Sequence, residues 1–461
     1  MRFVMNNFFP LPLLTALALG ACSYAPPTAK IDAQTAAQMP PPSGWTQDTI
    51  AGEIGGHWLD DFADPALTAL VTEALNANRD IEIAAQNVAR AKALLGQSRA
   101  ALLPSLNISA SANESGALGG GTSSRTTLRS GLGASWEADI WGKLSAGKAA
   151  SAADYLAADA RLKAARLSLA AQTARAYFLA IESQLQSELS ASTLKAQEGT
   201  LNIVEVRKRL GFSARQDLVL ALSDVASARD NFSAAKNAHR NALRALEVLL
   251  WRYPDAKIVL KASLPEHARP IPAGTPVALL ERRPDILAAK ADVRAAFALT
   301  KRAKADRWPV LNLSADMDAA GRNLNTLFDG PNVALSLGAR LAAPLFDGGL
   351  RKNRIKAAKA SQRQSLARYG NSVLNAFAEV ENDLDRWRTL QERGRYLVEA
   401  EEAANETLRL AQLRYRAGQS DLLDVLTLRQ RAFAASRSRL ANQRARLDAR
   451  LDVYLALGGD F

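Results

Sequence analysis

Two segments of the chain alternate apolar and polar residues with a period of two, which is typical of β-strands with one apolar and one polar face. Each segment has two such runs separated by a Gly-rich loop, so we predict β-hairpins at residues 105–139 and 310–346. The polar positions include Asn107, Ser109, Asn312, Ser314 and Arg340. Strands of about 10 residues with this alternation suit a transmembrane β-barrel. A soluble antiparallel sheet packed on one face has the same pattern.

Each hairpin is followed by a long run rich in Ala, Arg, Leu, Gln and Glu, at about residues 142–210 and 349–417. Runs of about 65–70 residues predict helices about 100 Å long, which suit coiled-coil-like packing through narrow Ala and Leu seams. A shorter helix is predicted before each hairpin, at about residues 65–103 and 284–308. The pattern therefore predicts a mainly α-helical chain with two hairpins.

The long helices are predicted to reverse at turns 210–213 and 417–420. Gly211 and Gly418 suit the left-handed position that ends a helix. Ser213 is a predicted N-cap of the returning helix, with Gln216 completing a capping box, and Ser420 is the equivalent N-cap. Asp421 is placed in the first turn of the second returning helix.

Similar motifs recur at nearly constant spacing along the chain. Asn78-Arg-Asp-Ile corresponds to Arg283-Pro-Asp-Ile at an offset of 205 residues, and Pro104-Ser-Leu-Asn-Ile-Ser corresponds to Pro309-Val-Leu-Asn-Leu-Ser at the same offset. The two turn motifs repeat at an offset of 207 residues. This order predicts a tandem duplication of a unit of about 200 residues. We place the repeats at 57–251 and 281–461, with a connection at 252–280.

The start of the chain predicts secretion. Residues 1–21 combine a positive Arg2 with a short apolar core, as in a signal peptide. The sequence Leu-Gly-Ala-Cys ending at Cys22 resembles a bacterial lipobox, which predicts a lipid (palmitate) on Cys22 and a tether at residues 22–56. Ser23 after the Cys resembles an outer-membrane address. An ordinary signal peptide with an incidental Cys is the alternative. After the signal peptide the chain contains no run of about 18 apolar residues, so we predict no transmembrane helix.

Composition excludes several classes of function. Cys22 is the only Cys, and the three His residues (57, 239 and 267) are scattered, so we expect no disulfide within the chain and no metal site. The formal charge of +12 in 461 residues is dispersed among acidic and apolar residues, and no base-reading motif is present, so we expect no nucleic-acid partner. G-x-S-x-G, H-E-x-x-H and P-loop motifs are also absent, which predicts a non-enzyme without a cofactor apart from the lipid.

Several motifs together resemble the TolC-like outer membrane factors, and more closely the NodT/OprM-like efflux lipoproteins of resistance-nodulation-division (RND) pumps. The resemblance covers nearly the whole mature chain. The motifs that carry it are Trp58 to Pro65 with Leu67 and Leu70, Ser135-Trp-Glu-Ala-Asp-Ile-Trp-Gly142, Glu281-Arg-Arg-Pro-Asp-Ile286, Pro309-Val-Leu-Asn-Leu313, Pro344-Leu-Phe-Asp-Gly-Gly349 and Tyr415-Arg-Ala-Gly-Gln-Ser-Asp-Leu-Leu-Asp-Val-Leu426.

The resemblance implies a homotrimer in the bacterial outer membrane. Three chains with four strands each would form a 12-stranded β-barrel, continuous with a long α-barrel in the periplasm. The implied function is a passive exit duct for drugs or other small molecules, served by an inner-membrane RND pump and a periplasmic adaptor. A type I secretion duct is the runner-up, and a lipid-anchored periplasmic coiled-coil scaffold that never spans the membrane is the structural alternative.

The resemblance also implies roles for particular residues. The polar strand positions would line an aqueous lumen. The two helical turns would dock the adaptor, although plain turn chemistry explains their Gly and Ser residues equally well. The docking positions are Leu210, Gly211, Phe212, Ala417, Gly418 and Gln419.

Asp217, Asp424 and Tyr415 match residues that narrow the periplasmic entrance in this family. Three copies of each carboxylate would form rings that filter ions and help to keep the entrance closed. Thr427 replaces a second acid of the family, which would lower the charge of the ring. The alternative is that the two aspartates only compensate the helix dipole.

Overall fold

The computed structural model describes residues 42, 44–46, 58–115, 125–261, 263–265 and 274–459. The signal peptide, Cys22, most of the tether and the loop at residues 116–124 lie outside the described residues. The chain forms two compact units. One contains Asn87–Asp159 and Ala288–Gly370, and the other contains Pro41–Gln86, Ala160–Leu287 and Asn371–Phe461. Each unit takes segments from both sequence repeats, because the long helices contribute to both units.

The described helices are α1 (Pro65–Ala77), α2 (Arg79–Ala100), α3 (Lys143–Arg209), α4 (Arg215–Leu249), α5 (Pro276–Arg282), α6 (Pro284–Ala305), α7 (Leu350–Arg416) and α8 (Leu422–Ala456). The two longest, α3 and α7, each have 67 residues, and the two returning helices, α4 and α8, each have 35 residues. The long helical runs predicted from composition are therefore confirmed, and their lengths are equal in the two repeats.

The strands are β1 (Ser105–Ser115), β2 (Arg125–Ala138), β3 (Val310–Gly321) and β4 (Val333–Ala342). They form one antiparallel sheet in the order β1-β2-β3-β4. The hairpins pair within each repeat, and β2 also pairs with β3, which joins the two repeats in a single sheet. Strands β1 and β4 are its edges.

The first of the two helices predicted before the hairpins is interrupted, whereas the second begins at Pro284 as predicted and is continuous. The first helix breaks at Asn78, whose backbone is extended and whose side chain accepts from the Asp80 amide. In the second repeat a separate short helix, α5, ends before Arg283, because the following Pro284 disfavours a helical conformation at that residue. Helix α5 also lies partly in the segment that was predicted to be only a connection.

Two equivalent aspartates begin the long helices. Both carboxylate oxygens of Asp139 accept amide hydrogens of α3, from Leu144 at 2.8 Å and Ser145 at 2.7 Å. Asp347 accepts in the same way from Gly349 and Arg351. These hydrogen bonds satisfy amides that have no partner within the helix, and they hold the pKa of Asp347 below its usual value.

An aromatic core lies in the second unit, where the motif beginning at Trp58 packs against α3 and α8. Trp58 is 1% exposed and stacks on Tyr454 with ring centroids 6.1 Å apart. Phe62 packs on Phe178 at 5.3 Å, and Tyr177 is fully buried beside it. The Trp58 motif is therefore explained by packing.

Asp64 joins this core to the start of α1. Its Oδ1 accepts from the amides of Ala66 and Leu67, and its Oδ2 accepts from the Tyr177 hydroxyl at 2.7 Å. Burial, followed by this hydrogen bond, raises the pKa of Tyr177. One carboxylate thus caps a helix and satisfies a buried hydroxyl.

None of the described helices contains a stretch long and apolar enough to cross a membrane. Among the described residues, no group of three or more His, Cys, Asp or Glu side chains is arranged to hold a metal ion.

Candidate channel-lining sheet and helical turns

The sheet places the five predicted lumen residues on one face. Directly opposed residues in a sheet point to the same side. Asn312 pairs with Arg340 on β4 and with Glu137 on β2, and Ser314 pairs with Ser135. Asn107 and Ser109 pair with glycines of β2, which pair in turn with the polar residues of β3. We call this side, with Asn107, Ser109, Asn312, Ser314 and Arg340, the polar face.

The register adds two carboxylates to the polar face that were not among the predicted site residues. Asp316 pairs with Gly133, and Asp318 pairs with Gly131. A Cβ at Gly133 would lie 2.7 Å from Oδ1 of Asp316, and a Cβ at Gly131 would overlap Oδ1 of Asp318. The two glycines therefore leave the space in which these carboxylates lie across the neighbouring strand.

The opposite side of the sheet is apolar and exposed in the single chain. Ile108 is 83% exposed, Leu335 73% and Leu337 78%. Ile108 pairs with Leu132, which pairs with Met317, which pairs with Leu335, so this apolar face continues across all four strands. Exposed apolar area of this kind marks a surface that contacts lipid or another protein.

Tryptophans lie at one end of the sheet, near the residues that precede β1 and β3. The Trp136 indole donates to the Leu102 carbonyl at 2.9 Å, and the Trp141 indole donates to the Pro309 carbonyl at 2.7 Å. Trp141 also stacks on Trp308 with centroids 5.2 Å apart. Amphipathic rings of this kind are enriched at membrane–water interfaces.

Both helical turns end their helices with the same hydrogen bonds. Phe212 and Gly211 donate to the Arg207 and Lys208 carbonyls, at 2.8 and 3.0 Å. Gln419 and Gly418 donate to Arg414 and Tyr415 in the same pattern, at 2.9 and 3.0 Å. Gly211 and Gly418 have φ of 80° and 74°, so the predicted left-handed glycines are confirmed.

The predicted docking residues at these turns are exposed. Phe212 is 74% exposed and Leu210 is 64% exposed. The corresponding positions of the second turn, Ala417 and Gln419, are polar or small and are also exposed. The first turn therefore presents large apolar side chains to its surroundings, whereas the second presents only small or polar ones.

The predicted serine caps are wrong. Helix α4 begins at Arg215 with Ala214 in the N-cap position, and the carboxylate of Asp217 accepts from the Ser213 hydroxyl at 2.8 Å and from the Ala214 amide at 3.2 Å. Gln216 forms no part of this arrangement. A carboxylate satisfies the turn better than a serine, because charge-assisted hydrogen bonds are stronger.

The second turn differs from its prediction in a similar way. The N-cap of α8 is Asp421, which was predicted to lie inside the first turn, and its side chain forms no capping hydrogen bond. Asp424 accepts from the Ser420 hydroxyl at 3.1 Å and is exposed. Asp217 and Asp424 therefore occupy equivalent positions in the two repeats, and both bind a serine of their own turn.

Tyr415 lies in a buried cluster between the ends of the four helices. It is 8% exposed and packs with Val204, Ala221, Ala411, Leu422, Val425 and Leu426. The Arg207 guanidinium lies 4.9 Å from its ring centroid and donates to its carbonyl. The cluster brings the Tyr415 ring together with the first residues of α8, close in sequence to Asp424.

The chain is similar over almost its whole length to proteins of known function. It is 29% identical to the outer membrane protein OprJ of Pseudomonas aeruginosa over 97% of this chain and 95% of OprJ. It is 29% identical to the cation efflux system protein CusC of Escherichia coli over 97% of this chain and 98% of CusC.

The chain is also similar to solved structures over most of its length. The open state of the Neisseria gonorrhoeae MtrE outer membrane channel has a TM-score of 0.83 and 29% identity, with 91% of this chain and 95% of MtrE covered. A crystal structure of CusC has a TM-score of 0.82 and 28% identity, with 91% and 96% covered.

The fold and the site therefore define an outer membrane efflux channel. The outer membrane efflux protein family matches residues 70–250 and 275–459, one range in each repeat, and the chain belongs to this family. The mainly α-helical fold with a four-stranded sheet, the efflux function and the outer-membrane location predicted from the sequence are confirmed.

Proposed function

We propose that the chain is the outer-membrane duct of a tripartite RND efflux system and works as a homotrimer. An inner-membrane pump supplies the energy, a periplasmic adaptor joins the pump to the duct, and drugs or other small molecules pass through without chemical change. A relative from Pseudomonas putida, TtgC, is a probable efflux pump outer membrane protein and is 28% identical over 97% of this chain.

The observation that carries the proposal is the sheet itself. Its apolar face is exposed across all four strands, and edge strands β1 and β4 each have one neighbour among the described residues. Unpaired strand edges are too costly in lipid, so a spanning sheet must close. Three copies would close into a 12-stranded barrel with the apolar faces toward lipid and the polar faces toward water. A periplasmic scaffold would leave this apolar surface in water.

Purified protein tests the assembly. We expect heat-modifiable trimers from detergent-extracted outer membranes, which give discrete single-channel conductances in planar bilayers. Monomers that give no conductance would contradict the duct.

Cys22→Ser tests the lipid. We expect loss of lipid labelling of the mature chain, while unchanged labelling would contradict lipidation at Cys22.

The exposed turns are the proposed docking surface for the adaptor, and Phe212 is its most exposed apolar side chain. Phe212→Ala should reduce crosslinking to the adaptor encoded with the pump and lower drug resistance. Leu222→Ala, which removes a half-exposed leucine further along α4, is the control. Equal effects of the two substitutions would contradict a specific role of the turn.

The proposed entrance gate contains Asp217, Asp424 and Tyr415. Asp424→Ala should raise conductance and weaken block by divalent cations, because a ring of three carboxylates would lose its charge. Asp421→Ala is the matched control, since Asp421 is three residues away and its side chain caps nothing. Unchanged conductance and unchanged divalent block in Asp424→Ala would contradict the gate.

A further inference from the structure

Arg429 of α8 is a buried cation with an incomplete set of partners. It is 7% exposed, and its Nη2 donates to the Thr200 hydroxyl of α3 at 3.0 Å. Its Nε and Nη1 are buried, and neither has a hydrogen-bond partner among the described residues. Burial of a guanidinium that forms one hydrogen bond to a neutral group is unfavourable for the free energy of folding, because its remaining donors have lost their hydrogen bonds to water.

Arg429 lies one layer beyond the buried Tyr415 cluster. Thr200 is one helical turn from Val204 on α3, and Arg429 is one helical turn from Val425 on α8. The two valines are at most 3% exposed. Helix α4 enters the same cluster through Ala221, and Asp224 follows it by three residues. The packing of the cluster therefore brings α3, α4 and α8 together beside Arg429.

Asp224 is the carboxylate on α4 that interacts with Arg429. Burial raises the pKa of Asp224, and the nearby Arg429 charge lowers it, so the two groups interact electrostatically. Asp224 is partly buried and forms no ion pair in the described residues. Arg429 is buried and Asp224 is partly buried, and neither charge is neutralised by a direct contact with the other.

We propose that Arg429 is a positioning residue that exchanges between two partners, the Thr200 hydroxyl on α3 and the Asp224 carboxylate on α4. In the described conformation it binds Thr200. A small shift of α8 toward α4 would form a forked guanidinium–carboxylate pair through Nη2 and one of the two unpartnered donors. The two arrangements are alternatives, and each one fixes α8 against a different helix.

This exchange rests on the proposed function, since α8 begins with Asp424 of the proposed entrance gate. A change in the partner of Arg429 would be transmitted along α8 through Val425 and Leu426 to the turn. Arg429 would then set the balance between two positions of the gate without touching cargo.

Substitution of each partner separately tests the exchange. Thr200→Val removes one arrangement, and Asp224→Asn weakens the other. We expect these variants to change the ratio of two conductance levels in opposite directions, each by about tenfold, because each loses a hydrogen bond to a charged group. In an Arg429→Met background, both effects should disappear, because there is no guanidinium left to exchange.

Matched controls separate this effect from general damage to the helices. Thr193→Val removes a hydroxyl that bonds to the α3 backbone in the same way as Thr200, and Asp230→Asn removes an exposed charge from α4. Neither control should change the conductance ratio. Shifts of Thr200→Val and Asp224→Asn in the same direction, absence of a shift, or shifts that persist with Arg429→Met would overturn the exchange.

A second measurement tests the exchange of Arg429 without relying on channel conductance. Trypsin cleaves after accessible arginines, and Arg209 and Arg416 are exposed beside the two turns. The cleavage rates should respond in opposite directions to Thr200→Val and Asp224→Asn, again only when Arg429 is present. If the wild-type trimer gives no conductance, the proposed duct fails, and the cleavage rates decide the exchange by the same criterion.

Discussion

The Arg283 guanidinium donates to the Ala456 carbonyl at 3.1 Å and so ties the start of α6 to the end of α8. The first repeat has an equivalent bond, in which Nδ2 of the Asn78 side chain donates to the Leu249 carbonyl at 3.2 Å. Arg283 does more than Asn78, because it also binds Asp285 and Glu379. The Arg-Arg-Pro-Asp motif is thus an anchor that joins three helices of the second unit.

We expect Arg283→Ala to reduce the free energy of unfolding by about 2–4 kcal/mol, because it removes a buried guanidinium from two carboxylates and a helix-end carbonyl. Arg283→Lys should recover only part of this loss, since an ammonium cannot reproduce the forked contacts. Denaturant unfolding in detergent measures both. Lys236→Ala, at an exposed position of α4, is the control, and an equal loss in that variant would contradict the anchor.

The Tyr177–Asp64 hydrogen bond provides a second stability test. Tyr177→Phe keeps the ring of this fully buried residue but removes the hydroxyl that donates to Asp64 at 2.7 Å. We expect a loss of about 1–2 kcal/mol, because the acceptor is a carboxylate. Tyr396→Phe is the matched control, since its hydroxyl also donates to a carboxylate, that of Glu392, but the residue is 60% exposed. Similar losses in the two variants would contradict the role of burial.

Much of this fold is predictable because its signals are local. The period-two alternation predicts both hairpins, and long Pro-free runs with few glycines, ending at Gly211 and Gly418, predict the paired helices. The break at Asn78 is not predictable in this way, because Asn78 is extended to serve a contact with Leu249, far away in the sequence. Tertiary contacts decided that local conformation.

The candidate site likewise contains some features that local sequence predicts and others that depend on tertiary contacts. Asn107 and Ser109 are recognised from the polarity of their own strand. The placement of Asp316 beside Gly133 depends on the pairing of β2 with β3, which joins residues from different repeats and has no local signal. The serine caps failed because the Asp217 carboxylate accepts from both the Ser213 hydroxyl and the Ala214 amide, so Ser213 acts as a donor in the turn.

Asp383 of α7 should make stability depend on pH. Burial, followed by repulsion from Asp452, raises its pKa to about 6, although Arg386 and Arg175 partly oppose this. The folded chain therefore binds a proton that the unfolded chain releases near its ordinary value of 3.8. Stability from this group is present at low pH and is lost as the pH rises through about 6.

Asp383→Asn should therefore stabilise the protein near pH 7.5 and have little effect near pH 4. With solvent screening, we expect a gain of about 1–2 kcal/mol at the higher pH. Thermal unfolding of the detergent-solubilised protein at the two pH values measures the difference. Asp385→Asn, at an exposed neighbouring position, should give no pH-dependent gain. A stabilisation by Asp383→Asn that is equal at both pH values would show that the charge is not its cause.

The carboxylates of the polar face should influence which ions pass. Asp316 and Asp318 lie on the side of the sheet that carries Asn107 and Ser109, in the space left by the two glycines of β2. In a trimer they would place six negative charges around the lumen, where a water-filled pore concentrates cations. We expect the double variant Asp316→Asn/Asp318→Asn to reduce the K⁺ over Cl⁻ permeability ratio by about two- to threefold, because all six of these charges are removed. Reversal potentials in a salt gradient measure this ratio, with Asp80→Asn on α2 as the control. An unchanged ratio in the double variant would mean that the polar face does not line the conduction path.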